Sequence, residues 1–489
     1  MRWLAVAGMA AMCLAAACSS NTDSTGTTTD PSTATASGSN ESRFYVVVFE
    51  DYPDLTRVAA IEDFRERGRS LVRTLQENAE ASQAEARQLL EDAGVEYRQL
   101  WLANAIALCT CDQAMAERLA ELDGVEAVVG GRDAQIESAD DEPAVPGPPP
   151  TNSPPLDSLG VTSLRARPDA PTGAGVTVGV IDTGVDGAHP ALAAGYRGAP
   201  DEPGAAPQDD RNWFDPYGEC STPCDPQGHG THVASVAVGR PVTPAAGSAT
   251  SVPGWSNTAE AAVPAVGVAP GANWIAARGC TGTVCDLDEL LAALQFMVAP
   301  TDRNGERPDP DVRPDVVVNS WGLTRPNPAL ERAQRAVEAS GIIPVAAAGN
   351  LGPECGSVTT PGSHRSTLTV GALGADRRPL PTSGRGPGPT DSQPNVAVIG
   401  EQVPGALPRN GWGTMTGTSQ AAPQVAGLVA LLLDRDPELR GDFLGVERRI
   451  DGSATAIPDD SCGVDPEDPE YNNVTGTGLP NAERLFDQR

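Results

Sequence analysis

Four polar residues in this sequence have the types and settings that acyl transfer needs: Asp182, His229, Asn350 and Ser419. Ser419 stands in Gly417-Thr-Ser-Gln-Ala-Ala-Pro423, the one nucleophile candidate in a stretch of small residues, and the apolar run Leu428–Leu433 follows. The pattern predicts a tight turn leading into a buried helix. A serine at a helix N-terminus meets free N–H groups and the positive end of the dipole, which is where a tetrahedral oxyanion could be stabilised. Alone, the same serine could equally be the cap of a core helix. Asp182 closes the apolar run Gly175–Ile181, and His229 opens Gly228-His-Gly-Thr-His-Val-Ala. An aspartate, a histidine and a serine can serve as the orienting group, the base and the nucleophile. Ser419 would attack a carbonyl, His229 would take the proton and return it to the leaving amine, and Asp182 would hold the imidazole tautomer. Asn350, ending Val345-Ala-Ala-Ala-Gly-Asn, would share the oxyanion hole with the backbone N–H of Ser419. Loss of such a donor costs about 10²–10³ in turnover.

These residues need a frame that brings them together. From residue 159 onward, buried-type strands alternate with helical patterns. The strands are Gly175–Ile181, Trp274–Ala277, Val312–Asn319 and Ile342–Ala348; the helices are His229–Gly239, Asp286–Val298, Asn327–Ser340 and Gln420–Asp434. Continuous apolar strands between helices predict an α/β fold, a doubly wound, mostly parallel sheet covered on both faces. Sites in such sheets form at the carboxyl ends of strands, where helix N-termini converge. The polar stretches Arg197–Gln227 and Thr243–Val263 read as surface insertions.

The chain resembles the subtilisin-like serine peptidases, through Val-Ile-Asp182-Thr-Gly, Gly228-His229-Gly-Thr-His-Val-Ala, Ala348-Gly-Asn350 and Gly417-Thr-Ser419-Gln-Ala-Ala-Pro. The order Asp, His, Ser is that of this family. The resemblance covers residues 159–485. Within the family, Asn212-Trp-Phe-Asp, Trp274-Ile-Ala-Ala-Arg-Gly-Cys280, Asn319-Ser-Trp-Gly322 and Gly352-Pro-Glu-Cys355-Gly look most like the bacillopeptidase F branch. The resemblance implies an endopeptidase. It also implies that Ser320, Trp321 and Gly322 pair with an extended peptide as an edge, and that Ala347 and Gly349 help to wall the pocket for the residue before the cut. Two departures stand out: Gln420 and Gln424 replace the usual methionine and histidine, and Ala191 lacks the acid that ligates calcium in many relatives. The alternatives are a catalytically silent subtilisin-fold binding scaffold and an esterase using the same hydroxyl. No cofactor is required by this chemistry; calcium could bind at an unidentified site, although the acidic runs Asp286–Glu289 and Asp465–Glu470 read as solvated surface.

The first part of the chain has a different character. Arg2 and the apolar run Leu4–Ala17 read as an export signal over residues 1–17. Leu14-Ala-Ala-Ala-Cys18 resembles a lipobox, with Cys18 the lipidated residue. The Ser/Thr/Gly-rich residues 18–42 read as a flexible tether. Residues 43–133 show the order β-α-β-β-α-β of a ferredoxin-like domain, and its place before a catalytic domain suggests an inhibitory propeptide. Residues 134–158 are acidic and then Pro-rich, read as an extended, structureless linker, and the maturation cut is expected within Gly131–Leu156. The chain is expected to be a cell-envelope lipoprotein or a secreted protein, and a monomer.

The 489 residues carry 65 acidic and 34 basic side chains, none of them lysine, for a net charge of −31. That balance argues against nucleic acid or an anionic membrane surface as partner and leaves protein or peptide substrates. Of ten cysteines, Cys13 belongs to the signal and Cys109 and Cys111 to the propeptide region. Spacing in the catalytic region suggests Cys220–Cys224 and Cys280–Cys285 as local loops, with Cys355 and Cys462 pairing at long range, although six cysteines allow fifteen connectivities. His232, three residues after His229, reads as a structural neighbour and not half of a metal pair.

Overall fold

The computed structural model describes residues 45–108, 112–130, 134–135, 144–200, 202, 205–243, 263–282, 284–324, 327–387, 393–464 and 471–487. The export signal, Cys18, the tether, Cys109, Cys111 and the run 465–470 lie outside the described residues.

The central element is a seven-stranded sheet in the order Val396–Ile399, Leu368–Leu373, Ile343–Ala347, Val316–Asn319, Thr177–Asp182, Asn273–Arg278 and Trp213–Phe214. Every neighbouring pair is parallel, with Val316 opposite both Val178 and Ile343. Alternate residues leave opposite faces. Val180, Val318 and Val345 pack on Val233 and Ala237 of the helix His229–Val238 and on Val425 and Leu428 of the helix Thr418–Arg435. Ile181, Ile275 and Val317 pack on Leu290 and Leu294 of Leu287–Val298 and on Ala333 and Val337 of Pro328–Ala339. Burial of each valine or leucine contributes about 1.5–3 kcal/mol. Helices on both faces make this the expected α/β doubly wound, parallel arrangement. The four expected helices are present to within two residues of their predicted ends.

Residues 45–130 form a four-stranded antiparallel sheet in the order Tyr97–Leu100, Ala105–Leu108, Tyr45–Phe49, Val125–Gly130, the order of a split β-α-β arrangement. Val47 and Phe49 face Leu90, Met115 and Leu119 of this unit's own helices. Val46 and Val48 face the other way and join the core of Leu290, Leu294 and Ala333. The unit therefore lies on the outer side of the helices Leu287–Val298 and Pro328–Ala339. Leu102 N donates to Gln295 Oε1 at 3.1 Å, and Tyr52 Oη donates to Leu102 O at 2.9 Å and Arg332 O at 3.1 Å. Arg332 also reaches Phe49 O and the Glu126 carboxylate.

Three readings of the sequence need correction. The segment 134–158 is not structureless throughout. Ala134–Gln135 pairs antiparallel with Val284–Cys285, Val145–Pro146 pairs with Thr414 and Gly413, and Pro154–Ser158 is a helical turn. Proline is compatible with these places because a first helical turn and a sheet edge do not need its N–H. The stretch Arg197–Gln227 is more than a surface insertion: Trp213–Phe214 is an edge strand of the main sheet, and Asp209, Asp215 and Asp225 are buried. Of Asp286–Glu289, expected to be solvated, Asp288 and Glu289 are only 3% and 6% exposed. The physical reason is a distant partner: Arg98 donates to Glu289 at 2.6 Å. The strands Leu368–Leu373 and Val396–Ile399, the hairpin Val403–Leu407 with Gly411–Met415, and the helices Phe443–Ser453 and Ala482–Asp487 had not been anticipated.

Candidate active site

Ser419 is the second residue of the helix Thr418–Arg435. It is not the cap, as the sequence suggested; Gly417 takes that position, with φ 146°. Capping of the helix start falls to Asn350, whose Oδ1 accepts from Thr418 N and Thr418 Oγ1, each at 3.0 Å. This commits the amide oxygen to the helix and leaves the amide nitrogen as the donor group of Asn350. Asn350 follows Gly349, which turns the chain out of the strand Ile343–Ala347 with φ 91°.

A proline inside the helix determines what happens at the carbonyl of Ser419. Pro423 has no N–H, so the usual bond back to Ser419 O cannot form. Ser320 Oγ fills the place, donating to Ser419 O at 2.9 Å. Ser419 Oγ in turn donates to Ser320 O at 3.2 Å. The expected nucleophile and the expected substrate edge are thus joined by two reciprocal bonds.

Asp182, the last residue of the strand Thr177–Asp182, is fully buried. Its Oδ1 accepts from His229 Nδ1 at 2.7 Å and from Thr183 N at 2.7 Å. The proton on Nδ1 leaves Nε2 as the lone-pair nitrogen, the form required of a general base. Nε2 is buried and has no hydrogen-bond partner among the described residues. The Ser419–His229 bond is not formed here; rotation about the serine Cα–Cβ bond would be needed to move Oγ from Ser320 O. Burial disfavours the His229 imidazolium, but the charge and hydrogen bond of Asp182, helped by Asp225, outweigh it and raise the pKa above the ordinary 6.5. Close approach of these elements depends on Gly230, where a Cβ would stand 2.1 Å from Gly184 O.

At the expected substrate edge, Trp321 is 1% exposed, so its indole belongs to the core and only the backbone of this segment could meet a peptide. Gly322 lies against Thr359, and Leu323 pairs with Thr360. Ala347 and Gly349 sit at the end of the neighbouring strand, where Gly349 O accepts from Gly384 N at 2.7 Å. Gln424 Nε2 donates to Ile399 O at 2.7 Å and to Gln420 O at 2.8 Å, bracing the helix behind the serine. His232 Nε2 lies 3.0 Å from Val403 O, and burial first of all lowers its pKa to about 3, which keeps it neutral. The three expected disulfides, Cys220–Cys224, Cys280–Cys285 and Cys355–Cys462, are all formed. Among the described residues no group of three or more His, Cys, Asp or Glu side chains could hold a metal ion.

Sequence reasoning overlooked Asp225 and Arg278. Asp225 stands four residues before His229. Arg278 is 1% exposed; it donates to Thr183 O at 3.2 Å and pairs with Asp215 at 3.1 Å and Glu219 at 2.9 Å. For Arg278 the available signal was a charge ending the apolar run Trp274–Ala277; for Asp225 there was none.

Residues 173–456 match the family model described as the Subtilase family. The chain is 34% identical to bacillopeptidase F of Bacillus subtilis (strain 168) over 328 residues, 63% of this chain and 20% of that protein. It is 30% identical to the subtilisin-like protease PopC of Myxococcus xanthus (strain DK1622) over 312 residues, 58% of this chain and 57% of the relative. With subtilisin Savinase of Lederbergia lenta the identity is 28% over 314 residues, 64% of this chain and 91% of the relative. The chain thus spans a fifth of the first of these relatives and just over half of the second. A match across more than half of the chain, on a parallel sheet whose strand and helix ends carry Asp182, His229 and Ser419, makes this protein a member of the subtilase family.

Proposed function

We propose that this protein is an exported serine endopeptidase that cleaves peptide bonds through an acyl-enzyme on Ser419. The single observation that carries this reading is the 2.7 Å Asp182–His229 bond. In the proposed cycle Ser419 Oγ leaves Ser320 O, gives its proton to His229 Nε2 and attacks the carbonyl. The oxyanion is met by Asn350 Nδ2 and the Ser419 N–H. His229 protonates the leaving amine, and water then releases the acyl group by the same steps in reverse. The reaction uses the protein's own side-chain and backbone groups with water, so no cofactor is proposed.

Residues 43–133 are proposed to act as an inhibitory propeptide, and self-cleavage within the segment that follows would release it. Two observations support this: the sheet of that unit packs on the helix Leu287–Val298, and Ala134–Gln135 pairs with Val284–Cys285 at the start of that helix. An extended stretch of the chain on a strand edge is how a peptide substrate would add to it. Export is supported by three disulfides, which persist in oxidising compartments, and no described helix is long and apolar enough to cross a membrane. Lipidation at Cys18, a monomeric state and the absence of nucleic-acid partners complete the reading.

A fluorophosphonate tests it directly. The reagent is expected to add covalently to Ser419 and to no other hydroxyl, seen as a mass increase on the peptide containing residues 417–423; labelling elsewhere, or none with the chain folded, would speak for the binding scaffold. The rate of peptide cleavage should also follow the base. Because His229 must be neutral to accept the proton and its pKa is raised, activity is expected to rise with pH to a plateau, with the midpoint above 6.5. A flat profile from pH 5 to 9 would exclude His229 as the base.

A further inference from the structure

A second carboxylate lies behind the Asp182–His229 pair. Asp225 is 6% exposed, and its two oxygens accept five hydrogen bonds. Oδ1 takes Thr183 Oγ1 at 2.9 Å, Gln227 N at 3.0 Å and Gly228 N at 2.8 Å. Oδ2 takes Thr231 N at 2.8 Å and Thr231 Oγ1 at 2.6 Å. None of these donors is a cation, so the charge is held by neutral dipoles at the open end of the helix His229–Val238. Burial is the largest influence and, with the nearby charge of Asp182, holds the pKa of this carboxyl above the ordinary carboxylate value; the bonds from Gly228 and Thr231 pull it back down toward the anion.

The five donors come from both elements that must meet in the catalytic pair. Thr183 is the neighbour of Asp182, and its hydroxyl also accepts from Gly230 N at 3.0 Å. Gln227 and Gly228 lead into His229, and Thr231 follows it. Thr231 Oγ1 accepts in addition from Asp186 N at 2.9 Å. One side chain therefore fixes the backbone on both sides of His229 to the strand end that carries Asp182.

We infer that Asp225 is a positioning residue for the proposed reaction: it locks the His229 backbone against the Asp182 strand end and adds its negative charge to the field that stabilises the His229 imidazolium. The inference rests on the endopeptidase reading for its kinetic part only. The ionisable groups around His229 are Asp182, Asp225 and His232. His232 is neutral, and the nearby Arg278, which bonds Thr183 O, is paired with Asp215 and Glu219. The two carboxylates thus set the field at the imidazole.

Asp225→Asn in the full chain keeps the side-chain shape while removing the charge. The expected result is a kcat lowered roughly tenfold with KM little changed, and an acid limb moved to lower pH. A parallel titration of the His229 imidazole by NMR, in a Ser419→Ala background with and without Asp225→Asn, should show the pKa falling. That readout needs no catalysis, so it separates failure of this inference from failure of the endopeptidase reading. Unchanged kcat and unchanged imidazole pKa, in a variant that melts like the parent, would overturn it. Should Asp225→Asn not fold, Thr183→Val replaces it: this deletes the hydroxyl link between the two elements and keeps both carboxylates. It is expected to lower kcat with little movement of the acid limb, and full activity in this variant would overturn the positioning role.

Discussion

Replacing Ser419 by alanine is expected to lower kcat for peptide hydrolysis roughly a millionfold. The residual rate, about 10³–10⁴ above the uncatalysed reaction, would come from the oxyanion donors and from binding. The substitution deletes one hydroxyl that donates to Ser320 O at 3.2 Å, so stability should change by no more than about 1 kcal/mol. The melting temperature therefore serves as the control: a large loss of activity in a protein that melts like the wild type assigns the loss to chemistry. The same variant reports on maturation. With self-cleavage by Ser419, wild type should lose its N-terminal unit and Ser419→Ala should stay at full length, as read from the intact mass. A wild type that is also inert, its N-terminal unit removed by another protease, would favour the scaffold.

Asp182→Asn should be the next most damaging of the conservative changes, lowering kcat by about 10⁴. The carboxylate has two tasks here. Its Oδ1 collects both His229 Nδ1 and Thr183 N at 2.7 Å, which fixes the ring and leaves the lone pair on Nε2. Its charge is the leading influence that raises the imidazole pKa against burial. An asparagine can keep the first only if its oxygen takes the Oδ1 place, and it loses the second in either orientation. The acid limb of the pH profile should consequently shift downward while the plateau falls. The result that would sink this assignment is a plateau within tenfold of wild type.

The placement of Asp182, His229, Asn350 and Ser419 was legible because each sits at or just past the end of an element that the sequence marks clearly. Gly175–Ile181 is a run of apolar residues with small breaks, and Leu428–Leu433 is an unbroken one. Four helices were placed for the same reason. What escaped was local in a different way or too distant to see. Val396–Ile399 has four residues, too few for a periodicity to declare itself, and Leu368–Leu373 is interrupted by Gly371. Asp225 looked like one more acid in a polar loop, because the convergence of Gln227, Gly228 and Thr231 N–H groups on it is a matter of loop geometry. Glu289 looked solvated because its partner, Arg98, belongs to another part of the chain. The serine rotamer, turned toward Ser320 O and away from His229 Nε2, was beyond any pattern of residue types.

The carbonyl that Pro423 leaves open has a mechanical consequence. In an uninterrupted helix Ser419 O would be satisfied from within, and the first turn could shift relative to the neighbouring strand end at little cost. Here its bond comes from Ser320, so the helix start and the Ser320–Gly322 segment are expected to move as one rigid piece. Thermal motion that displaces a peptide lying along that segment would carry the nucleophile with it. The distance between attacking oxygen and carbonyl would then be insulated from looseness elsewhere in the protein. Proline at position 423 would act as the coupling between where a substrate lies and where it is attacked.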